Sequence, residues 1–304
     1  VDDMMSSDNI NILRLLGHDG RPDVGFADQK TLLAELDQLS QLSAAPLDAP
    51  VAILMSYDDL WSLQMLPHRR DFHYLRHLYL FYHACLRLGI NVDVVSGTAD
   101  LSRYRLVIAP TAHVADEALA QRLHTYVSRG GTLLLGIRSG FKTPSNLVTD
   151  APLPGALRDL AGLTVTSWQS LPLEQSIPFK SSIPDFAGGA TYWVETLAVE
   201  TAVPLATYED DSSTALAENL VGNGRVLTLG FYPTPQQARS LLTHLADQLA
   251  IAMLPDLPAG VVAFRRGDVQ LLLNFSERPQ TVTLGTSSHT IASRDLIFLP
   301  AKVH

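Results

Sequence analysis

The apolar run Thr132-Leu133-Leu134-Leu135 leads directly into Gly136-Ile137-Arg138-Ser139-Gly140. That glycine spacing is the pattern of a nucleophile elbow, the sharp turn after a strand that lifts a Ser or Cys into solvent for attack on a carbonyl. Here the central position is Arg138, a permanently protonated guanidinium that cannot act as a nucleophile. Ser139 stands one residue off and points elsewhere in such a turn. The segment also lacks the Lys-Ser/Thr ending of a phosphate-binding loop. The scaffold is enzyme-like, but its reactive position carries no attacking group.

Other residues able to do chemistry are scattered. His73 and His77 stand four apart, which puts both on one helix face, with His68 nearby. A hydrolytic zinc site of that spacing needs a glutamate after the first histidine, and Tyr74 is there instead. Structural or surface roles are the plainer account. Cys85 lies between Ala84 and Leu86 on an apolar helix, where a thiol usually serves as a small inert hydrophobe. Asp58 and Asp59 follow the first strand at the edge where open α/β sheets hold their ligands. They also suit N-capping of the next helix. Glu209-Asp210-Asp211 is more simply a solvated loop than a cation site. Trp61, Trp168 and Trp193 could stack on sugar rings, although packing is the commoner fate of tryptophan. Trp61, just beyond the first strand, is the strongest of the three.

The chain has 304 residues, 46% hydrophobic and 17% charged, as in an ordinary globular protein large enough for two cores. A formal charge of -9 without a basic run argues against nucleic-acid partners. One cysteine excludes an intrachain disulfide and a multi-cysteine zinc site. No apolar run approaches the roughly 20 residues needed to cross a bilayer. The acidic opening Val1-Asp2-Asp3 does not read as a signal peptide. A cytoplasmic protein without cofactor or metal is the simplest expectation, and a fragment of something longer fits equally.

The elements that must position these residues begin with a helix rich in Leu32, Leu33, Leu36, Leu39 and Leu42, with Ala27-Asp28 as its expected cap. A Pro-containing linker reaches Pro50. From Val51 the text alternates strands (51–55, 91–95, 106–110, 132–137) with helices (72–88, 116–128), which implies a parallel sheet with right-handed crossovers. Residues 141–212 read as an insertion forming an antiparallel patch. A hairpin follows, with strands 214–221 and 225–231 turning at Gly222-Asn223-Gly224, and then a helix over 235–251. Beyond Pro255, strands over 260–265, 269–275, 281–284 and 295–299 suggest a small antiparallel sandwich that packs on its neighbour.

With the elements placed, Ser56-Tyr57-Asp58-Asp59-Leu60-Trp61-Ser62-Leu63-Gln64, Asp71-Phe72-His73-Tyr74-Leu75, Phe81 to Val95 and Arg138-Ser139-Gly140-Phe141-Lys142 together resemble the middle domain of glycoside hydrolase family 42 β-galactosidases. Leu271-Leu272-Leu273-Asn274-Phe275 is similar to the small β-domain that ends those enzymes. Leu15-Leu16-Gly17-His18-Asp19-Gly20-Arg21-Pro22 is similar to the end of their catalytic barrel. The resemblance implies three parts. Residues 1–48 would be a remnant of the barrel with a linker. Residues 49–254 would be a flavodoxin-like, glutamine-amidotransferase-like domain, with helices on both faces of a parallel sheet, that mediates trimer formation. Residues 255–304 would be the C-terminal β-domain.

The resemblance also implies further copies of the chain as partners, in a homotrimer, and a terminal β-galactoside substrate bound through the barrel. That barrel hydrolyses with retention, using two glutamates about 5 Å apart. A (β/α)₈ barrel takes roughly 250 residues, and only the stretch before Val51 is available here, so no catalytic glutamate is carried over. The segment before the His-Asp-Gly-Arg-Pro turn reads Asn9-Ile10-Asn11-Ile12-Leu13, without the Glu and His that hold the sugar in the family. Trp61 and Asp58 are the residues expected at a substrate rim shared between subunits. The alternatives are a stand-alone sugar-binding or assembly module, and an amidotransferase-like or esterase-like enzyme, against which Arg138 argues.

Overall fold

A computed structural model describes residues 15–300, apart from residues 18, 44–46, 68, 70, 255 and 256. His68 and Asn9 to Leu13 lie outside the described residues. The first helix among the described residues, α1 (Val24–Ser43), begins earlier than its leucines suggest, so Ala27-Asp28 lies within it and is not its cap. Leu32, Leu33 and Leu36 are exposed on it.

Strands β1 (Val51–Leu54), β2 (Val92–Val95), β3 (Leu106–Ala109) and β4 (Thr132–Leu135) pair in parallel in the order β2-β1-β3-β4. The reason for their continuous apolar text is visible in their packing. Val51 and Ile53 enter one core with Phe81 and Cys85 of α3 (Tyr74–Arg87), its C-cap Leu88, and Leu241 and Leu245 of α6 (Pro235–Gln248). Ala52 and Leu54 enter a second core with Leu123 and Val127 of α4 (Glu117–Ser128) and Leu160 of the short α5 (Arg158–Ala161). Helices therefore cover both faces, as a parallel sheet requires. Helix α2 (Tyr57–Met65) follows β1.

The antiparallel segment is not a separate patch interrupting the sheet. Strands β5 (Leu163–Ser170), β6 (Ile177–Ser181), β7 (Gly188–Val199), β8 (Val203–Tyr208), β9 (Thr214–Val221), β10 (Gly224–Leu229) and β11 (Phe231–Tyr232) continue the same sheet. Its order runs β11-β7-β6-β8-β9-β10-β4-β3-β1-β2, with β5 added against β7. β10 is the junction, parallel to β4 and antiparallel to β9. The sheet is thus mixed, whereas the sequence reading made it parallel with a detour. Hydrogen-bonded strands do not need a contiguous run of sequence to share one sheet, and β9-β10 supplies the bridge.

Among the described residues, the C-terminal part has five strands in two antiparallel sheets. One holds β12 (Val261–Arg266), β13 (Val269–Asn274) and β16 (Asp295–Pro300), and the other holds β14 (Gln280–Leu284) and β15 (Ser287–Ile291). They share a small core of Leu257, Val261, Ala263, Leu272, Val282 and Ile291. Polar contacts help attach it to the α/β part. The Arg87 guanidinium donates to the carbonyls of Leu257, Pro258 and Val261, while the Asn91 side chain donates to Arg265 O and accepts from Arg265 N.

Candidate functional site

The turn after β4 has the backbone of an elbow and the interior of a clamp. Arg138 adopts φ 61°, the left-handed conformation that the reactive residue of such a turn also needs. A Cβ on Gly136 would stand 2.2 Å from Pro110 O, and one on Gly140 would stand 1.8 Å from Pro154 O. The two glycines are therefore demanded by close backbone crossings. Turn residues follow the strand here, with no helix directly after it.

Arg138 points inward and is wholly buried. Its Nη1 donates to Pro67 O (2.8 Å) and its Nη2 to Leu66 O (3.3 Å). The guanidinium carbon lies 4.9 Å from the ring centres of both Phe72 and Trp193. Glu195 Oε1 accepts from Arg138 N (2.7 Å) and from Trp193 Nε1 (2.9 Å). Burial pushes the Glu195 carboxyl up to about 7 against the pull of these donors, and lowers Arg138 to about 10. Ser139 is buried as well. Its Oγ donates to Gly136 O (2.8 Å) and accepts from Ala112 N (3.1 Å), so it serves as a brace for the turn.

The two histidines expected on one face part company. His73 is exposed at the N-cap position of α3, so the helix begins after it. His77 is buried, stacked on Tyr232 at 4.5 Å, with Nδ1 2.9 Å from Thr111 Oγ1. Burial lowers its pKa to about 3, which keeps the ring neutral. Among the described residues no three His, Cys, Asp or Glu side chains are grouped to hold a metal. Cys85 is buried, and its thiol is pushed up to about 12. Glu209, Asp210 and Asp211 lie in an exposed turn.

The tryptophans divide similarly. Trp193 belongs to the Arg138 clamp. Trp168 is half-exposed, edge-on to Phe141 at 5.1 Å. Trp61 is 56% exposed on α2, 5.7 Å from the ring of Tyr57, and Met65 extends the same apolar stripe one turn on.

Neither aspartate of the Asp58-Asp59 pair is the α2 cap. Ser56 takes that place, its Oγ accepting from the backbone N–H of Asp58 and Asp59. Asp59 is instead drawn across to the loop after β3, where its Oδ1 accepts from Val114 N (2.7 Å). Burial raises its carboxyl to about 7. Asp58 is exposed and lines, with Asp59, a cleft of about 410 Å³ at the carboxyl ends of β1, β2 and β3. Trp61 is not among its lining residues. Sequence reasoning located this edge through Asp58-Asp59 but missed Glu195, whose signal is a single acid in the alternating strand β7.

No helix among the described residues is long and apolar enough to cross a membrane. The chain is 34% identical over 279 residues to the β-galactosidase BgaH of Haloferax lucentense, covering 89% of this chain and 40% of that protein. It is 36% identical over 271 residues to the β-galactosidase Bga of Halorubrum lacusprofundi, covering 85% and 38%. The solved structure of the polyextremophilic β-galactosidase from that haloarchaeon superposes with a TM-score of 0.82 at 32% identity, over 94% of this chain and 44% of the other. The β-galactosidase structure from Bacillus circulans sp. alkalophilus shares the fold with a TM-score of 0.85. The chain thus spans about two fifths of the curated relatives it matches. Residues 49–252, the mixed sheet and its covering helices, match the family model described as the β-galactosidase trimerisation domain, and the chain belongs to that family.

Proposed function

We propose that this chain is the non-catalytic C-terminal portion of a retaining β-galactosidase that hydrolyses terminal β-D-galactosides, and that it drives homotrimer assembly while walling the active site. The observation that carries the reading is the family match over 49–252 together with an elbow whose reactive position holds a buried arginine. Finer assignments belong to the same reading. The mixed sheet is an elaborated amidotransferase-like domain, ending near residue 254. Residues up to 48 are the end of a barrel, and those from 255 are the terminal β-domain. Galactoside would be bound by the barrel, with Trp61 and Asp58 at its rim from a neighbouring subunit. The setting is cytoplasmic, in keeping with one buried, unpaired cysteine.

The exposed stripe Tyr57, Trp61 and Met65 supports assembly, because aromatic and methionine side chains are enriched at the centres of protein interfaces. The test is an assay of this chain with o-nitrophenyl β-D-galactoside. The expected result is no turnover above buffer. Hydrolysis by the purified chain that survives Arg138→Met and follows Michaelis–Menten kinetics would place a complete active site in these residues and end the reading.

A further inference from the structure

The strand order creates one place where neighbouring connections leave in opposite directions. From β1 the chain crosses to β2 on one side, while β3 lies on the other. In open α/β sheets the loops part at such a point, and ligands bind in the resulting crevice at the carboxyl ends of the strands. The 410 Å³ cleft stands there, lined by Leu54 and Ser56 after β1, Ser96 and Thr98 after β2, and Thr111 and Ala112 after β3. Its volume is that of a small-molecule pocket. The elbow clamp does not account for it, and the apolar stripe on α2 reaches it only through Tyr57.

The walls discriminate among ligands. An inorganic anion is disfavoured, because the first-turn N–H groups of Asp58 and Asp59 are taken by Ser56 Oγ and the same turn carries two carboxyl groups. A purely apolar ligand is disfavoured, because it would strip water from the exposed Asp58 carboxylate and Thr98 hydroxyl without supplying a partner in its place. The lining mixes carboxyl acceptors (Asp58, Asp59), hydroxyls and the Arg122 guanidinium, whose Nε donates to Gly97 O at 2.8 Å. Ser96 Oγ and Thr98 Oγ1 lie 2.7 Å apart in the turn after β2, and the exposed Tyr57 is among the lining residues. A ligand matching that mixture has hydroxyl groups, each able to donate and to accept, and one apolar face for the aromatic ring.

We propose that this cleft binds a small polyhydroxylated molecule of monosaccharide size through groups of this chain alone, Asp58 being shared with the rim assigned above. Asp58 accepts from ligand hydroxyls, Arg122 and Thr98 donate to them, and Tyr57 covers a ring face. The site does not depend on the assembly reading, since all of its groups belong to this chain, and a monomeric chain would still carry it.

The test is isothermal titration of the full chain with galactose, glucose and myo-inositol, beside inorganic phosphate and magnesium chloride. One equivalent of at least one polyol should bind, with a Kd of about 1 mM or tighter. Asp58→Ala and Thr98→Ala lie at exposed positions and leave the fold intact by circular dichroism; each should weaken binding about tenfold, the loss of one charge-assisted or neutral hydrogen bond. Trp168→Ala, away from the cleft, should change nothing. Absence of binding by all three polyols up to about 100 mM, equal affinity in the Asp58 and Thr98 variants, or binding of phosphate or magnesium in their place would each overturn the proposal.

Discussion

Replacing Arg138 by Met removes the charge while nearly preserving volume, and its cost can be worked from the clamp. Two carbonyls, of Leu66 and Pro67, lose their donor. A hydrogen bond from a charged donor contributes about 1.5–3 kcal/mol. Two cation–π contacts are lost, worth about 0.5–2 kcal/mol each. Glu195 also loses the neighbouring charge. Met recovers part of this by burying an apolar chain against Phe72 and Trp193, so the net loss should be about 3–5 kcal/mol.

The pH dependence makes the prediction sharper. Glu195 titrates at 4.5 when free and at about 7 in the fold. The folded state therefore holds the proton more tightly, and the associated stability is complete below 4.5 and lost as pH rises through about 7. At about 1.4 kcal/mol for each tenfold change in proton affinity, that loss is on the order of 3 kcal/mol. Arg138 pulls the carboxyl pKa down, so Arg138→Met should extend the loss to higher pH. The assay is urea unfolding of both proteins from pH 5 to 9. A destabilisation below about 1 kcal/mol, or parallel stability curves across that range, would refute the reasoning.

Asp59→Asn should raise stability at pH 8 by on the order of 2 kcal/mol, because the carboxyl titrates at 3.8 free but at about 7 folded while Asn keeps an acceptor for Val114 N. At pH 4 the gain should vanish, as thermal melts at both values will show. Arg87→Ala should leave the three carbonyls at Leu257, Pro258 and Val261 without their donor. Amide exchange should then quicken across β12, β13 and β16 while β1 and β3 stay protected. Cys85, with its thiol raised from 9.0 to about 12, carries about a thousandfold less thiolate in the folded state. Labelling by a disulfide reagent should therefore be slow in buffer and immediate in denaturant, and equal rates would contradict its burial.

How far the molecule could be read from its residues follows from the range of the forces involved. Val51–Leu54, Leu106–Ala109 and Thr132–Leu135 were legible because strands covered on both faces must be apolar throughout, a local property. The Gly222-Asn223 turn between β9 and β10 was legible for the same reason. Ser287–Ile291 escaped notice because only Ile291 reaches the core and its strand character comes from pairing with β14. The α2 cap was misassigned because Ser56, Asp58 and Asp59 are all competent caps. Ser56 caps the helix, and Asp59 is taken by Val114, which lies far along the chain. At the elbow, Arg138 declared the lack of a nucleophile, but its partner Glu195 comes from β7, which no local pattern connects to residue 138.

The central claim is assembly, and the solution mass of the chain by sedimentation equilibrium across a dilution series tests it most directly. The account predicts a particle of three times the 33.1 kDa chain mass at micromolar concentration, shifted toward monomer by Met65→Asp on the exposed face of α2. A single-chain mass at every concentration, unchanged by that substitution, would contradict it.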